Sequence, residues 1–253
     1  MKIIISPAKK MNIETDIFDW NKLPEFLEEA EKLFQYLKLL DYNTLKNIWK
    51  CSDTIAAMNY ERLRTLHLTQ NLTPAILSYE GIQYQYMAPQ VMEQQELDYI
   101  EKHLRILSGF YGILKPFDGI VPYRLEMQSR LIDYKVDSLY KFWGNKLFHS
   151  LADETDCILN LASKEYSKCI TSYMDRNVKI ITCVFGEMID GKVREKGTLA
   201  KMARGEMVRF LAGQQAENVE EAKEFTGLGY RFYSELSDEI RYVFIKEIEN
   251  KYK

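Results

Sequence analysis

Apolar positions recur with two different periods along this chain, and each period predicts a kind of element. Lys2 to Ile5 is a short β-branched run stopped by Ser6-Pro7, the pattern of a buried strand. Pro24 then stands at a helix start, with Glu25, Glu28 and Glu29 in the first turns and apolar residues at Leu27, Ala30, Phe34 and Leu37. That spacing predicts an amphipathic helix with its acids at the positive end of the dipole. Two more helices are predicted over Thr44 to Lys50 and Ser52 to Leu66, the second capped by Ser52 or Asp53. The clearest helical period runs from Gln94 to Leu107, where Leu97, Ile100, Leu104 and Leu107 share one face. Gly109, Gly112, Pro116, Gly119 and Pro122 then break regularity.

Beyond that break, a short helix is predicted over Ser138 to Leu151 and a strand over Cys157 to Ala162. Val178 to Ile189 reads as a strand closed by the hairpin signal Asp190-Gly191. Thr198 to Ala212 is helical, and Tyr230 to Leu236 with Ile240 to Glu247 alternate as a closing strand pair. The fold class is therefore mixed α/β (α+β): a central mixed sheet assembled from both ends of the chain, with helices around it. No linker, repeat or shift in composition divides residues 1–253, so a single compact domain of at most two lobes is expected.

Composition narrows the function. With 253 residues, 46% hydrophobic and 28% charged, the chain can bury a core without disulfides, and disordered or collagen-like classes are excluded. A net charge of −3 excludes a uniformly basic coat for nucleic acid but leaves room for a local basic groove. The apolar run Ile3 to Ile5 is too short for a signal core, and no segment nears the roughly 20 apolar residues of a membrane span. A cytoplasmic protein with no membrane partner is expected. Cys51, Cys157, Cys169 and Cys183 form no Cys-x-x-Cys pair, and His67, His103 and His149 are far apart. Reduced thiols in or near the core, no metal site and no cofactor are expected. The oligomeric state is left open.

Three segments are candidates for chemistry. Ser6-Pro7-Ala8-Lys9-Lys10 follows the first strand, and ligands of open α/β sheets gather at the carboxyl ends of strands. A cap by Ser6 would leave N–H groups and Lys9 facing an anion, although a turn with solvated lysines reads equally well. Ser6-x-x-Lys9 also matches a serine–lysine nucleophile, but the companion motifs of such enzymes are absent. Second, Leu107 to Met127 (LSGFYGILKPFDGIVPYRLEM) resembles the hairpin of a helix-hairpin-helix. There Gly109 and Gly112 would let backbone N–H groups reach a phosphate, with Lys115 and Arg124 nearby. The alternative is a glycine turn packing Phe110 and Tyr111 into the core. Third, Lys201, Gly205 and Arg209 form an i, i+4, i+8 stripe with Arg204 alongside. A mid-helix glycine there opens space for a phosphate or for a packed backbone. Asn160, Ser163 and Tyr166 follow a strand and, with Ser6, could line a cleft or cap the next helix.

These segments together resemble the YaaA family of bacterial peroxide-stress proteins. The matching pieces are Ile5-Ser6-Pro7-Ala8-Lys9, the block from His103 through LSGFYG to PYRLEM, and Leu139-Tyr140-Lys141-Phe142-Trp143-Gly144. They continue with Asn160-Leu161-Ala162-Ser163, Ala203-Arg204-Gly205 with Arg209-Phe210, and Gly229-Tyr230-x-Phe232. The resemblance implies a family-specific fold with a positively charged cleft and a helix-hairpin-helix element, DNA binding, and protection from peroxide by limiting iron-dependent damage. On this reading Lys9, Gly109, Gly112, Lys115, Arg124, Lys201, Arg204 and Arg209 contact DNA phosphates, largely without regard to sequence. The alternative from a different class is an enzyme acting on a nucleotide-like or phosphorylated small molecule in the same cleft, with Asn160, Ser163 and Tyr166 near the reacting group and Ser6 a further polar candidate of the cleft. Convergence of the basic residues on one groove is expected in either case.

Overall fold

The computed structural model describes residues 1–14 and 16–247. β1 (Lys2–Ile5) and the two-residue β2 (Lys10–Met11) precede three helices, α1 (Leu27–Leu39), α2 (Tyr42–Trp49) and α3 (Asp53–Thr65). Short pieces follow: β3 (Thr73–Pro74), α4 (Ala75–Ser78), β4 (Tyr79–Glu80) and α5 (Ile82–Met87). Helix α6 (Gln94–His103) runs straight into β5 (Leu104–Ser108), which turns back as β6 (Gly112–Leu114), and β7 (Gly119–Ile120) pairs with β3. The second half contributes α7 (Leu139–Trp143), α8 (Lys146–Ala152), β8 (Cys157–Asn160), α9 (Lys164–Thr171), β9 (Lys179–Ile189) and β10 (Lys192–Arg194). It closes with α10 (Gly197–Gly213), β11 (Tyr230–Phe232) and β12 (Arg241–Lys246).

The main sheet has the order β11-β12-β9-β8-β1-β5-β6, with β10 attached to β9. From β12 to β5 the strands are parallel; β11, β6 and β10 join antiparallel. A parallel sheet is covered on both faces, so its central strands read as continuous apolar runs. Ile3, Ile4 and Ile5 are fully buried for this reason, and every residue of β5 is buried. As expected, the sheet draws its strands from both ends of the chain and helices fill the intervening stretches. Among the described residues, no helix is long and apolar enough to cross a membrane.

Three expectations are corrected. The helix read through Leu107 ends at His103, where Leu104 turns extended (φ −86°, ψ 138°) and begins β5. Leu104 to Ser108 is an apolar run in which helical and strand spacing coincide, and pairing with β1 decides for the strand. The same pairing overturns the helix-hairpin-helix reading of Leu107 to Met127: residues 104–114 form a β-hairpin within the sheet. The helix over Ser138 to Leu151 is two helices, parted at Gly144, whose φ of +53° ends the first. The short elements α4 and α5 had no sequence signal, because four to six residues are too few to establish a period.

Helix α10 packs on α5 at unusually close range. A Cβ on Gly205 would lie 2.1 Å from the Gln83 carbonyl oxygen and 3.0 Å from the Met87 nitrogen. The glycine inside the basic stripe thus admits a packed backbone, one of the two roles its position suggested. Replacing Gly by Ala in a helix interior ordinarily gains about 1 kcal/mol. Here we expect Gly205→Ala to destabilise by about 2 kcal/mol, because the helices must part. Gly197→Ala, at the open start of α10 with nothing within 4 Å, is the control and should be near neutral. Urea unfolding midpoints of the two variants check this.

The amino end of the sheet carries its own charge cluster. Lys2 Nζ lies 2.9 Å from Glu154 Oε2, and Arg105 reaches the same oxygen at 2.5 Å. Beneath them, buried Asp118 accepts a hydrogen bond from the Lys115 N–H (2.8 Å). Burial pushes its carboxyl up to about 7 from an ordinary 3.8. The folded chain therefore binds this proton more tightly than the unfolded chain. The group favours folding at low pH, and that advantage is lost as pH rises from about 4 to about 7. Asp118→Asn keeps the acceptor without the charge. Thermal melts should show the variant gaining on the parent across that window and holding its lead above it; parallel curves would contradict the assignment.

Candidate functional site

Strands β1 and β8 are neighbours, but the chain leaving them goes opposite ways. After β1 the next strand of the main sheet is β5, on one side; after β8 it is β9, on the other. Where connections diverge in this way, a crevice opens beyond the carboxyl ends of the strands. Ser6 follows β1 and Ser163 stands at the N-terminal boundary of α9 after β8, so both lie at this crevice. The Ser163 N–H donates to Ser6 Oγ (2.9 Å), and the two hydroxyl oxygens are 3.3 Å apart. The Tyr84 hydroxyl donates to the Ser6 carbonyl (2.9 Å) and ties α5 to the same point.

Around this point lies a cleft of about 430 Å³. Its cations are Lys9, Lys10, Arg124, Lys201 and Arg204, and its carboxylates are Glu80, Glu126 and Glu165. Lys10 pairs with Glu80 (2.6 Å) and Lys9 with Glu126 (3.0 Å). Arg124 and Arg204 are different in kind: their side chains are only 11% and 14% exposed. Arg124 sits 3.8 Å from Glu126 and Arg204 3.2 Å from Glu195, and the Nε of each is buried with no partner among the described residues. Burial lowers the pKa of Arg204 from its usual value, yet guanidinium keeps its charge in proteins. Burial also raises the Glu165 carboxyl, helped by the charge of Glu126, while the Gln128 N–H (3.3 Å) pulls the other way.

Four of the six basic side chains expected to converge do so: Lys9, Arg124, Lys201 and Arg204 line one cleft. Lys115 does not. It follows β6 at the amino end of the sheet, 3.9 Å from Glu154, so the length of β1, roughly 13 Å, separates it from the crevice. Arg209 is exposed eight residues beyond Lys201, roughly 12 Å further along α10, and does not line the cleft. Gly109 and Gly112 are buried and present no backbone to it. Their role is packing. A Cβ on Gly109 would fall 2.5 Å from the Leu125 carbonyl oxygen, and Gly112 turns at φ +76° against Trp143. Gly109 thereby lets the 125–127 segment lie on the hairpin, which delivers Arg124 and Glu126 to the cleft.

Ser6, Ser163 and Tyr166 line the cleft as expected. Asn160 stands behind it: its Nδ2 donates to Thr182 Oγ1 (3.1 Å) and its Oδ1 accepts from the Ala162 N–H (2.9 Å). It shapes the turn that carries Ser163. A family model described as "Peroxide stress protein YaaA" matches residues 1–236. The chain belongs to the YaaA family. A UPF0246 protein of Pediococcus pentosaceus is 53% identical over 246 residues, covering 97% of this chain and 98% of its own. Similar proteins of the same description occur in Lachnoclostridium phytofermentans (52% over 250 residues; 99% and 98%) and Lactiplantibacillus plantarum (52% over 245; 97% and 99%).

For this YaaA-family chain the cleft contains residues that carry no signal in the sequence. Gln83 and Tyr84 lie on α5, too short to register as an element, and Glu126 and Glu165 sit inside segments whose cations and hydroxyls are the more conspicuous groups. Tyr123 is half-buried, with its hydroxyl in hydrogen bonds with Ser108 Oγ (2.7 Å) and Tyr79 OH (2.8 Å), and desolvation pushes its phenol up to about 12. Chemically, the cleft can bind an anion through the arginines, and Glu165 can hold or accept a proton beside it.

The thiols lie outside it. Burial pushes Cys169 up to about 12 and Cys183 still higher, so thiolate, the peroxide-reactive form, is scarce at both. After exposure to low peroxide followed by denaturing alkylation, mass spectrometry should find Cys169 and Cys183 as free thiols. A stoichiometric disulfide or sulfenic acid at either would refute this.

Proposed function

We propose that this chain serves the peroxide-stress response by binding a phosphate-bearing ligand of nucleotide size in the crevice between β1 and β8, in the cytoplasm. The observation that carries this reading is the pair Arg124 and Arg204: two nearly buried guanidinium groups lining one cleft, held to carboxylates only at 3.8 Å and 3.2 Å. A planar guanidinium with free donors suits phosphate, and burial strengthens the pairing. The cleft volume of about 430 Å³ falls in the roughly 300–1,000 Å³ range of small-molecule sites. Unpaired cysteines are in keeping with a reducing compartment. Limitation of iron-dependent damage would follow from the ligand's binding or turnover.

DNA binding is the second reading, favoured by the exposed rim. Lys9 and Lys10 are 67% and 69% exposed, and Lys201 is exposed beside them. A duplex that laid phosphates on these three and both arginines would lose affinity with salt at a log–log slope of about −4 to −5. Sequence would matter little, because phosphate contacts carry no base information.

Calorimetric titration with nucleoside monophosphates and with a short duplex separates the two. The ligand reading expects a monophosphate to bind. Arg124→Ala or Arg204→Ala should each weaken it at least about tenfold, because each removes one charge-assisted hydrogen bond to the phosphate. If no monophosphate binds while the duplex does, with the steep slope above and a slope shallower by about one in Arg204→Ala, the DNA reading replaces it.

A further inference from the structure

Gln83 lines the cleft with a carboxamide side chain and is only 7% exposed. Its Nε2 is buried with no hydrogen-bond partner among the described residues. An amide nitrogen left unpaired in a low-dielectric site is unfavourable for the folded chain, and a turn of the carboxamide that brings it to an acceptor on a bound ligand removes that cost.

Its position is also fixed. The Gln83 carbonyl is the atom against which Gly205 of α10 packs, so the backbone of α5 cannot drift there. The next residue, Tyr84, is anchored through its hydroxyl to the Ser6 carbonyl and rests on Tyr79 with ring centroids 5.4 Å apart. Ile82, Tyr123 and Tyr166 supply apolar and aromatic wall in the same cleft, which suits a flat ring. A carboxamide offers one donor and one acceptor side by side. The matching edge is a heteroaromatic ring with an adjacent acceptor and donor, as on a nucleobase.

We infer that Gln83 is the specificity-determining residue of this cleft, pairing through its carboxamide with the donor–acceptor edge of a nucleobase whose phosphate is held by Arg124 and Arg204. The inference rests on the phosphate-ligand reading above and adds the identity of the other end of the ligand. The arginines hold any phosphate; Gln83 discriminates what the phosphate is attached to.

The probes are the four ribonucleoside monophosphates and ribose 5-phosphate, which has the phosphate and sugar but no base. Wild-type protein should bind at least one nucleotide more tightly than ribose 5-phosphate by roughly 5- to 150-fold, the range of one bidentate pair. Gln83→Met, close in size but without the amide, should abolish that preference and leave ribose 5-phosphate binding unchanged. Without ligand its melting temperature should not fall, because the amide nitrogen holds nothing in the protein; Gln83→Leu gives a second variant should methionine disturb packing. If ribose 5-phosphate binds but no nucleotide binds better, or if the preference survives both substitutions, the role of Gln83 is overturned and the phosphate site stands. If neither ribose 5-phosphate nor any nucleotide binds, the phosphate reading falls and this inference with it.

Discussion

Everything in this molecule depends on β1 being paired on both edges while it is buried on both faces. Ile3 and Ile4 meet Leu104 and Arg105 on one side and Leu159 and Asn160 on the other, all in parallel register. The three residues so enclosed, Ile3 to Ile5, are apolar for that reason, and the chain leaves the sheet at once where they end. Ser6 and Pro7 are that exit. The divergence of the next connections to either side then opens the crevice, so the site follows from strand order before any side chain in it is considered.

The second dependence is the close packing of α10 on α5. It brings Lys201 and Arg204 from one end of the sequence to face Gln83 and Tyr84 from the first third. Gly205 makes that approach sterically free, at the cost of helix propensity. Gly109 does the same service for Arg124 by letting its segment lie on the β5–β6 hairpin. Two glycines in a basic context are thus explained by backbone packing, with the arginines beside them supplying the charge.

Fold class was legible because long apolar runs and strong turn signals are local facts. The strand over Val178 to Ile189 with its Asp190-Gly191 turn, and the closing pair β11 and β12, needed only period and turn chemistry. The failure at Leu104 to Ser108 came from a run whose residues are all buried, where periodicity has nothing to contrast. The lining of the cleft was legible at Ser6, Lys9, Ser163, Tyr166, Lys201 and Arg204 from strand ends and helix stripes, and at Arg124 from a cation near a glycine turn. Lys115 and Arg209 lie away from the cleft, because adjacency to a glycine or a stripe says nothing about which end of a sheet a residue reaches. Gln83 was illegible: a glutamine becomes conspicuous only when burial and the absence of a partner can both be seen.

The strand order also has a bearing on how this chain is made. Lys2 pairs with Ile158, a partner 156 residues further on. At a synthesis rate of roughly 5–20 residues per second, β1 waits about 8 to 30 seconds for that neighbour to leave the ribosome. Until then three consecutive isoleucines stand with one or both ladder edges open, a sticky template for any other extended chain. Pairings of such long range also make folding slow once synthesis ends. The interval of exposure is thus longest at the segment on which the finished protein is centred.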